Sequence, residues 1–138
     1  MSVWRARFSP DGRWIAVTAN KDLPNRSTLY VTSVPDGNFV QVTDGSAFDT
    51  NSRWSSDGTT LYFLSTRGGG GKILNIWGIR FDPKRGRPLG KPFLLTDLTG
   101  PSRLIPGPIF GTFSVADDRL VVPIRETSGN IWMLENVR

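Results

Sequence analysis

The sequence contains neither cysteine nor histidine. Disulfides, thiolate nucleophiles, Cys/His zinc sites and histidine-based catalytic triads are therefore excluded within it. The missing cysteines fit a reducing and an oxidising compartment equally and say nothing about location. Long apolar runs are missing as well. The longest stretches hold about four residues, such as Leu61 to Leu64, far short of the roughly 20 that span a bilayer as a helix, so no membrane insertion is expected. From Met1 the chain reaches Ser9-Pro10-Asp11-Gly12 before any apolar run of signal-peptide length, so no export signal is visible.

Turn formers and aromatics are plentiful. Fifteen Gly and ten Pro in 138 residues punctuate the chain, and five Trp, eight Phe and two Tyr favour strands. Hydrophobic residues at 38% and charged residues at 21% are the balance of a single folded domain rather than a disordered chain. The net charge is +5, with thirteen of the seventeen basic residues being Arg. Phosphates, acidic glycans and anionic lipid head groups would all be attracted by it.

The organising feature is an internal repeat, the mark of a solenoid or propeller. Three segments correspond: Phe8-Ser-Pro-Asp-Gly-Arg-Trp-Ile-Ala-Val17, Trp54-Ser-Ser-Asp-Gly-Thr-Thr-Leu-Tyr-Phe63 and Phe113-Ser-Val-Ala-Asp-Asp-Arg-Leu-Val-Val122. Trp54 follows Phe8 by 46 residues and Phe113 follows Trp54 by 59. A second block recurs in the same order, as Thr28-Leu-Tyr-Val, Asn75-Ile-Trp-Gly and Asn130-Ile-Trp-Met, at 20, 21 and 17 residues after each aromatic. Two blocks in register with loops absorbing the variation are what a repeat architecture requires.

Each unit parses into short strands between turn signals, since Asp-Gly between apolar runs marks a hairpin. The first unit predicts strands near Val3 to Phe8, Trp14 to Ala19, Thr28 to Val34 and Phe39 to Thr43. The second predicts Asn51 to Trp54, Thr60 to Thr66, Leu74 to Phe81 and Pro92 to Thr96. The third predicts Ile109 to Phe113, Leu120 to Ile124 and Asn130 to Glu135, without a fourth. The expected fold is all-β: about three four-stranded antiparallel propeller blades over residues 3–45, 46–100 and 101–138, the last lacking its outer strand, forming an open arc within one domain. Phe8, Trp54 and Phe113 are expected to form one layer between blades, and Tyr30, Trp77 and Trp132 another. An all-β sandwich is the competing reading.

The string Phe8-Ser9-Pro10-Asp11-Gly12-Arg13 and its weaker copies resemble the Trp/Phe-Ser-Pro-Asp-Gly-Lys/Arg signature of TolB-like, WD-repeat-related propellers, over almost the whole chain. The third copy departs from it, with Val115-Ala116-Asp117-Asp118 in place of Pro-Asp-Gly. Asn75-Ile-Trp-Gly-Ile-Arg-Phe-Asp82 and Gly129-Asn-Ile-Trp-Met-Leu-Glu-Asn-Val-Arg138 also resemble the C-terminal ends of bacterial multidomain proteins. There such a propeller follows a kinase-like or winged-helix domain. The resemblance implies a six- or seven-bladed toroid that binds proteins, peptides or small ligands, with no chemistry common to its members. Similar propellers gate prolyl-oligopeptidase-type serine peptidases, whose catalytic domain would lie elsewhere. Location would follow the parent chain, periplasmic behind an upstream membrane segment and cytoplasmic otherwise.

Arg67-Gly68-Gly69-Gly70-Gly71-Lys72 falls short of a phosphate-binding loop, which needs Gly at 66 and Ser or Thr at 73 where Thr66 and Ile73 stand. It reads as a hairpin loop. Lys84, Arg85 and Arg87 read as a solvated hairpin tip, and Asp11 and Asp57 as turn residues. No Gly-x-Ser-x-Gly elbow exists, and neither an enzyme, a metal site nor a cofactor is expected. Nucleic-acid binding is not expected either, because the aromatics recur at core positions rather than on an exposed stacking platform. The site expectation comes from alternation along the innermost strands. If Phe8 and Trp54 point between blades, Arg5, Arg7, Asn51 and Arg53 point the other way, and Asp49 lies on the loop entering the channel. The expected function is a non-catalytic binding or scaffolding module of a larger bacterial regulatory protein. Its partner would be a protein, a peptide or an anionic small ligand. The open arc is expected to pair with a second copy or with missing N-terminal blades.

Overall fold

The computed structural model describes residues 2–20, 25–100, 102–107, 113–131, 133 and 135. Among them the secondary structure is all β, with no helix. The first sheet is a meander of β1 (Ser2–Phe8), β2 (Trp14–Asn20), β3 (Thr28–Ser33) and β4 (Phe39–Gln41), and the second a meander of β5 (Asp49–Trp54), β6 (Thr60–Ser65), β7 (Asn75–Asp82) and β8 (Arg87–Leu94). Every pairing in both is antiparallel between sequence neighbours. The third unit is smaller. β10 (Ser114–Ala116) pairs with β11 (Arg119–Val121), and β9 (Arg103–Leu104) with β12 (Arg125–Glu126).

The Ser-x-Asp-Gly turns explain why the first two units fold alike. In the first, the Ser9 hydroxyl donates to Asp11 Oδ1 at 2.6 Å while its oxygen accepts the Trp14 N–H at 3.0 Å, and Asp11 Oδ1 also takes the Arg13 N–H. In the second, Ser55, Asp57, Thr59 and Thr60 repeat these bonds at 2.6, 3.0 and 3.0 Å. Gly12 and Gly58 take φ of 70° and 71°, the left-handed region that glycine enters without steric cost. The third copy lacks this glycine. There Asp117, at φ 50°, turns a tighter hairpin in which Ala116 faces Arg119.

The two large sheets meet face to face. Ala16, Leu29, Val31 and Val42 of the first unit pack on Trp54, Leu61, Phe63, Ile79 and Phe81 of the second. Two indoles cross this seam: Trp54 Nε1–H donates to the Arg7 carbonyl at 3.1 Å, and Trp14 Nε1–H to the Pro83 carbonyl at 3.0 Å. Both rings stand edge-on to Phe81, Trp54 at a centroid distance of 5.1 Å and Trp14 at 5.7 Å, the geometry aromatic quadrupoles favour. The opposite face of the second sheet buries Leu64, Leu74 and Ile76 against Ile105 and Phe113.

Several expectations change. Trp54 and Phe113 do sit between layers, 9% and 1% exposed, but Phe8 is 65% exposed. It pairs with Ile15, on the face of the first sheet turned away from the second, and no described sheet lies over it there. Tyr30 lies on that same far face, Trp77 is partly buried in the first seam, and Trp132 lies outside the described residues. The fourth strand of the second unit begins at Arg87 rather than Pro92, because β7 runs on to Asp82 and the hairpin closes at once with Asp82 facing Arg87. Its Pro88 and Pro92 are tolerated because β8 is an edge strand. In the third unit, positions 109–112 of the first expected strand lie outside the described residues. Asn130, Ile131, Met133 and Glu135 are in no strand, so the expected Asn130 to Glu135 strand is not formed by the described residues, and Arg125–Glu126 pairs instead.

Candidate functional site

Of the five residues singled out on the inner strands, two are structural in their surroundings and three form a group. Asp49 is completely buried. Its carboxylate accepts the Ser65 hydroxyl at 2.5 Å and Arg67 Nη2 at 2.7 Å, and Arg67 Nε donates to Ser65 Oγ at 3.0 Å. The Arg67 guanidinium also lies 5.6 Å from the ring centroids of both Phe63 and Trp77. A carboxylate so enclosed ties β5 to the loop after β6. It does not face a channel. Asn51 is 1% exposed.

Arg5 and Asn51 mark the same irregularity in β1 and β5, the first strand of each large sheet. Both have positive φ, 58° and 55°, rare for non-glycine residues and least so for Asn. The pairing register shifts between Trp4 and Arg7 in β1, and between Thr50 and Arg53 in β5. These are bulges, 46 residues apart, at equivalent places in the repeat. Each re-aims its strand two residues before an arginine, Arg7 in β1 and Arg53 in β5.

Arg53 is held by neutral acceptors. Its Nε donates to the Phe113 carbonyl at 3.1 Å and its Nη1 to the Ser52 carbonyl at 2.9 Å, with the guanidinium carbon 5.7 Å from the Phe113 centroid. Arg7 repeats the local part of this, donating Nη1 to the Ala6 carbonyl at 3.0 Å. Burial, then the positive charges of Arg7 and Arg5, lower the pKa of Arg53. An arginine stays protonated regardless, so the shift records first the burial of Arg53 and then its repulsion by the two neighbouring cations, Arg7 and Arg5. Among the described residues Arg7 and Arg53 form no ion pair. The cluster can hold an anion by charge-assisted hydrogen bonds.

Other features offer less. A cleft of about 500 Å³ opens at the outer end of the first seam, lined by residues including Val42, Asp44, Arg67, Trp77 and Lys91, but its Arg67 is committed to Asp49. The glycine loop runs into strand β7 and not a helix, so it lacks the helix N-terminus of a nucleotide-binding loop. The Ser-Asp pairs at 9/11 and 55/57 are turn locks, since each serine hydroxyl donates to the aspartate and accepts a main-chain N–H. Among the described residues no helix is long and apolar enough to cross a membrane, and no group of three metal-ligating side chains gathers.

Sequence reasoning brought Arg5, Arg7 and Arg53 forward by alternation, although bulges and not simple alternation place them. It missed the Asp49–Arg67 clasp, for which the only signal was a serine and an arginine, Ser65 and Arg67, after the second strand. No protein-family model matches the chain.

Proposed function

We propose that the chain is part of a propeller-like binding module in which the two four-stranded sheets are consecutive blades and Arg5, Arg7 and Arg53 receive an acidic peptide segment. The TolB-like repeat signature supports the blade reading. The observation that carries the ligand reading is the anchoring of Arg53: two main-chain carbonyls and an aromatic face hold it in place beside two further guanidinium groups. A cation fixed in this way is organised before a ligand arrives, and an incoming carboxylate relieves the repulsion. The module performs no reaction itself. It recognises and holds.

Titration of a glutamate-rich peptide into the chain, followed by calorimetry at several salt concentrations, tests this. Binding is expected to weaken with salt and to fall at least about tenfold in an Arg7→Glu/Arg53→Gln variant, in line with the ~1.5–3 kcal/mol carried by hydrogen bonds to charged groups. Binding indifferent to both changes, in a variant with an unaltered melt, would overturn the assignment.

A further inference from the structure

The outer strand of the second sheet carries an irregularity that the first sheet does not repeat. Along β7 and β8, Gly78 faces Phe93 and Arg80 faces Leu89, so Ile79 alone stands opposite three residues, Gly90, Lys91 and Pro92. The corresponding pairing of β3 with β4 runs without a shift. Residue types explain the bulge. Gly90 takes a φ of 72° with open space where a Cβ would stand, and Pro92 has no N–H to give to a ladder. The same three bulged residues line the cleft of about 500 Å³ at the outer end of the first seam. A glycine bulge in an edge strand therefore makes room there, as strand glycines do where another group approaches closely.

Val42, Trp77, Ile79 and Pro92 give the cleft an apolar lining. The segment after β4 is fixed from behind, since the Val42 N–H donates to the Leu29 carbonyl at 2.8 Å and the Leu29 N–H to the Thr43 hydroxyl at 3.0 Å. Of the ionised groups that line the cleft, Arg67 is bound to the buried Asp49 at 2.7 Å and neutralised by it. Asp44 and Lys91 remain. The Asp44 carboxylate is set by Ser46, whose N–H and hydroxyl donate to its Oδ1 at 3.0 and 2.7 Å, and it meets Arg67 only at 3.7 Å. Lys91 is exposed and forms no ion pair among the described residues. One charge of each sign, one from each large unit, thus accompanies an apolar lining. The volume falls within the roughly 300–1,000 Å³ of small-molecule sites.

We propose that this cleft binds a small zwitterion with apolar side chains, a peptide of dipeptide size bearing both free termini, with its ammonium group toward Asp44, its carboxylate toward Lys91 and its side chains on Val42, Trp77 and Ile79. A ligand with one charge leaves either Asp44 or Lys91 unmatched and brings its own charge near a like one, which is how such a site rejects it. The cleft shares no residue with the arginine cluster. Its occupancy is therefore separate from the binding of an acidic segment by Arg5, Arg7 and Arg53, and either can fail without the other.

Calorimetric titration of the chain with phenylalanyl-leucine, with its N-acetylated form and with its C-terminal amide tests this. The free dipeptide is expected to bind saturably, and each capped form about tenfold more weakly or worse. Lys91→Gln should erase the difference between the free peptide and the amide, and Asp44→Asn the difference between the free and acetylated peptides. Both positions are exposed, and thermal melts check that the variants stay folded. The indole N–H resonance of Trp77, assigned by its loss in Trp77→Phe, is expected to shift on binding while those of Trp14 and Trp54 hold still. Absence of saturable binding, equal affinity for free and capped peptides, variants that leave those differences intact, or binding that does not move the Trp77 signal would each overturn the proposal.

Discussion

The first two units and the third began from the same repeat and reached different states. The first two each close a four-stranded meander, with matching hydrogen bonds in their Ser-x-Asp-Gly turns and a bulge at the same position of the first strand. The third forms two separate two-stranded pieces and has Asp-Asp in the turn. Yet Phe113, at the head of the third unit, is only 1% exposed, alongside Phe63 at 0% and Phe81 at 2%. The apolar contact between layers therefore survives loss of the turn chemistry, whereas the full meander does not accompany it. Turns specify each sheet, and aromatics specify the stack.

The largest test of that separation compares Trp54 with Phe8, equivalent in sequence and opposite in environment. Trp54→Ala is expected to cost roughly 3 to 5 kcal/mol, since it empties a buried aromatic site and removes the bond to the Arg7 carbonyl. Phe8→Ala in the monomer should stay within about 0.5 kcal/mol, as exposed positions do. Urea denaturation of both variants measures the difference, and equal effects would mean that the face bearing Phe8 is covered.

The second test uses a feature that divides the two large sheets. Only the second has the buried Asp49–Arg67 pair, for the first has Val3 and Ala19 at the positions of Asp49 and Ser65. Asp49→Ala leaves Arg67, itself largely enclosed, with only the longer contact to the exposed Asp44 at 3.7 Å, and should cost about 3 kcal/mol. Asp49→Ala with Arg67→Met should recover part of this in the same denaturation assay.

Next in size is Gly86, in the β7–β8 hairpin. It has a φ of 67°, and a Cβ there would stand 2.1 Å from the Trp14 ring. Gly86→Ala is expected to cost about 1 to 3 kcal/mol through backbone strain and displacement of the indole, seen as a lower Tm. Gly90, also at positive φ but facing open space, should cost less on the same change, about 1 kcal/mol.

The smallest effect concerns the turns. The Ser55 hydroxyl first, then the Thr59 N–H and hydroxyl, hold the Asp57 carboxyl at a pKa of about 2, and Asp11 is lowered by the matching Ser9 and Arg13 bonds. A carboxyl with its folded pKa below the unfolded value stabilises the fold at pH above the unfolded value and loses that contribution as the pH falls toward the folded one. Stability should therefore decline between about pH 4 and pH 2, and less steeply in an Asp11→Asn/Asp57→Asn variant. Acid titration followed by tryptophan fluorescence reads the slope.

Much of this molecule was legible in its residues. The strands of the first two units follow from turn signals a few residues long, because a Ser-x-Asp-Gly hairpin satisfies its own hydrogen bonds from neighbours in sequence. The arginines of β1 and β5 were singled out by strand alternation, whereas register shifts place them in the structure. What sequence reasoning could not reach was non-local. The exposure of Phe8 depends on which layer lies over it, and its own segment reads the same as that of buried Trp54. The burial of Asp49 depends on Arg67, eighteen residues away. The bulges at Arg5 and Asn51 recur at equivalent places in the two sheets, and while Asn tolerates a positive φ, Arg5 gives no such signal. Local hydrogen bonding determined the strands and turns from the sequence itself. The contacts between layers, which select among faces that are chemically alike, were decided only by the tertiary structure.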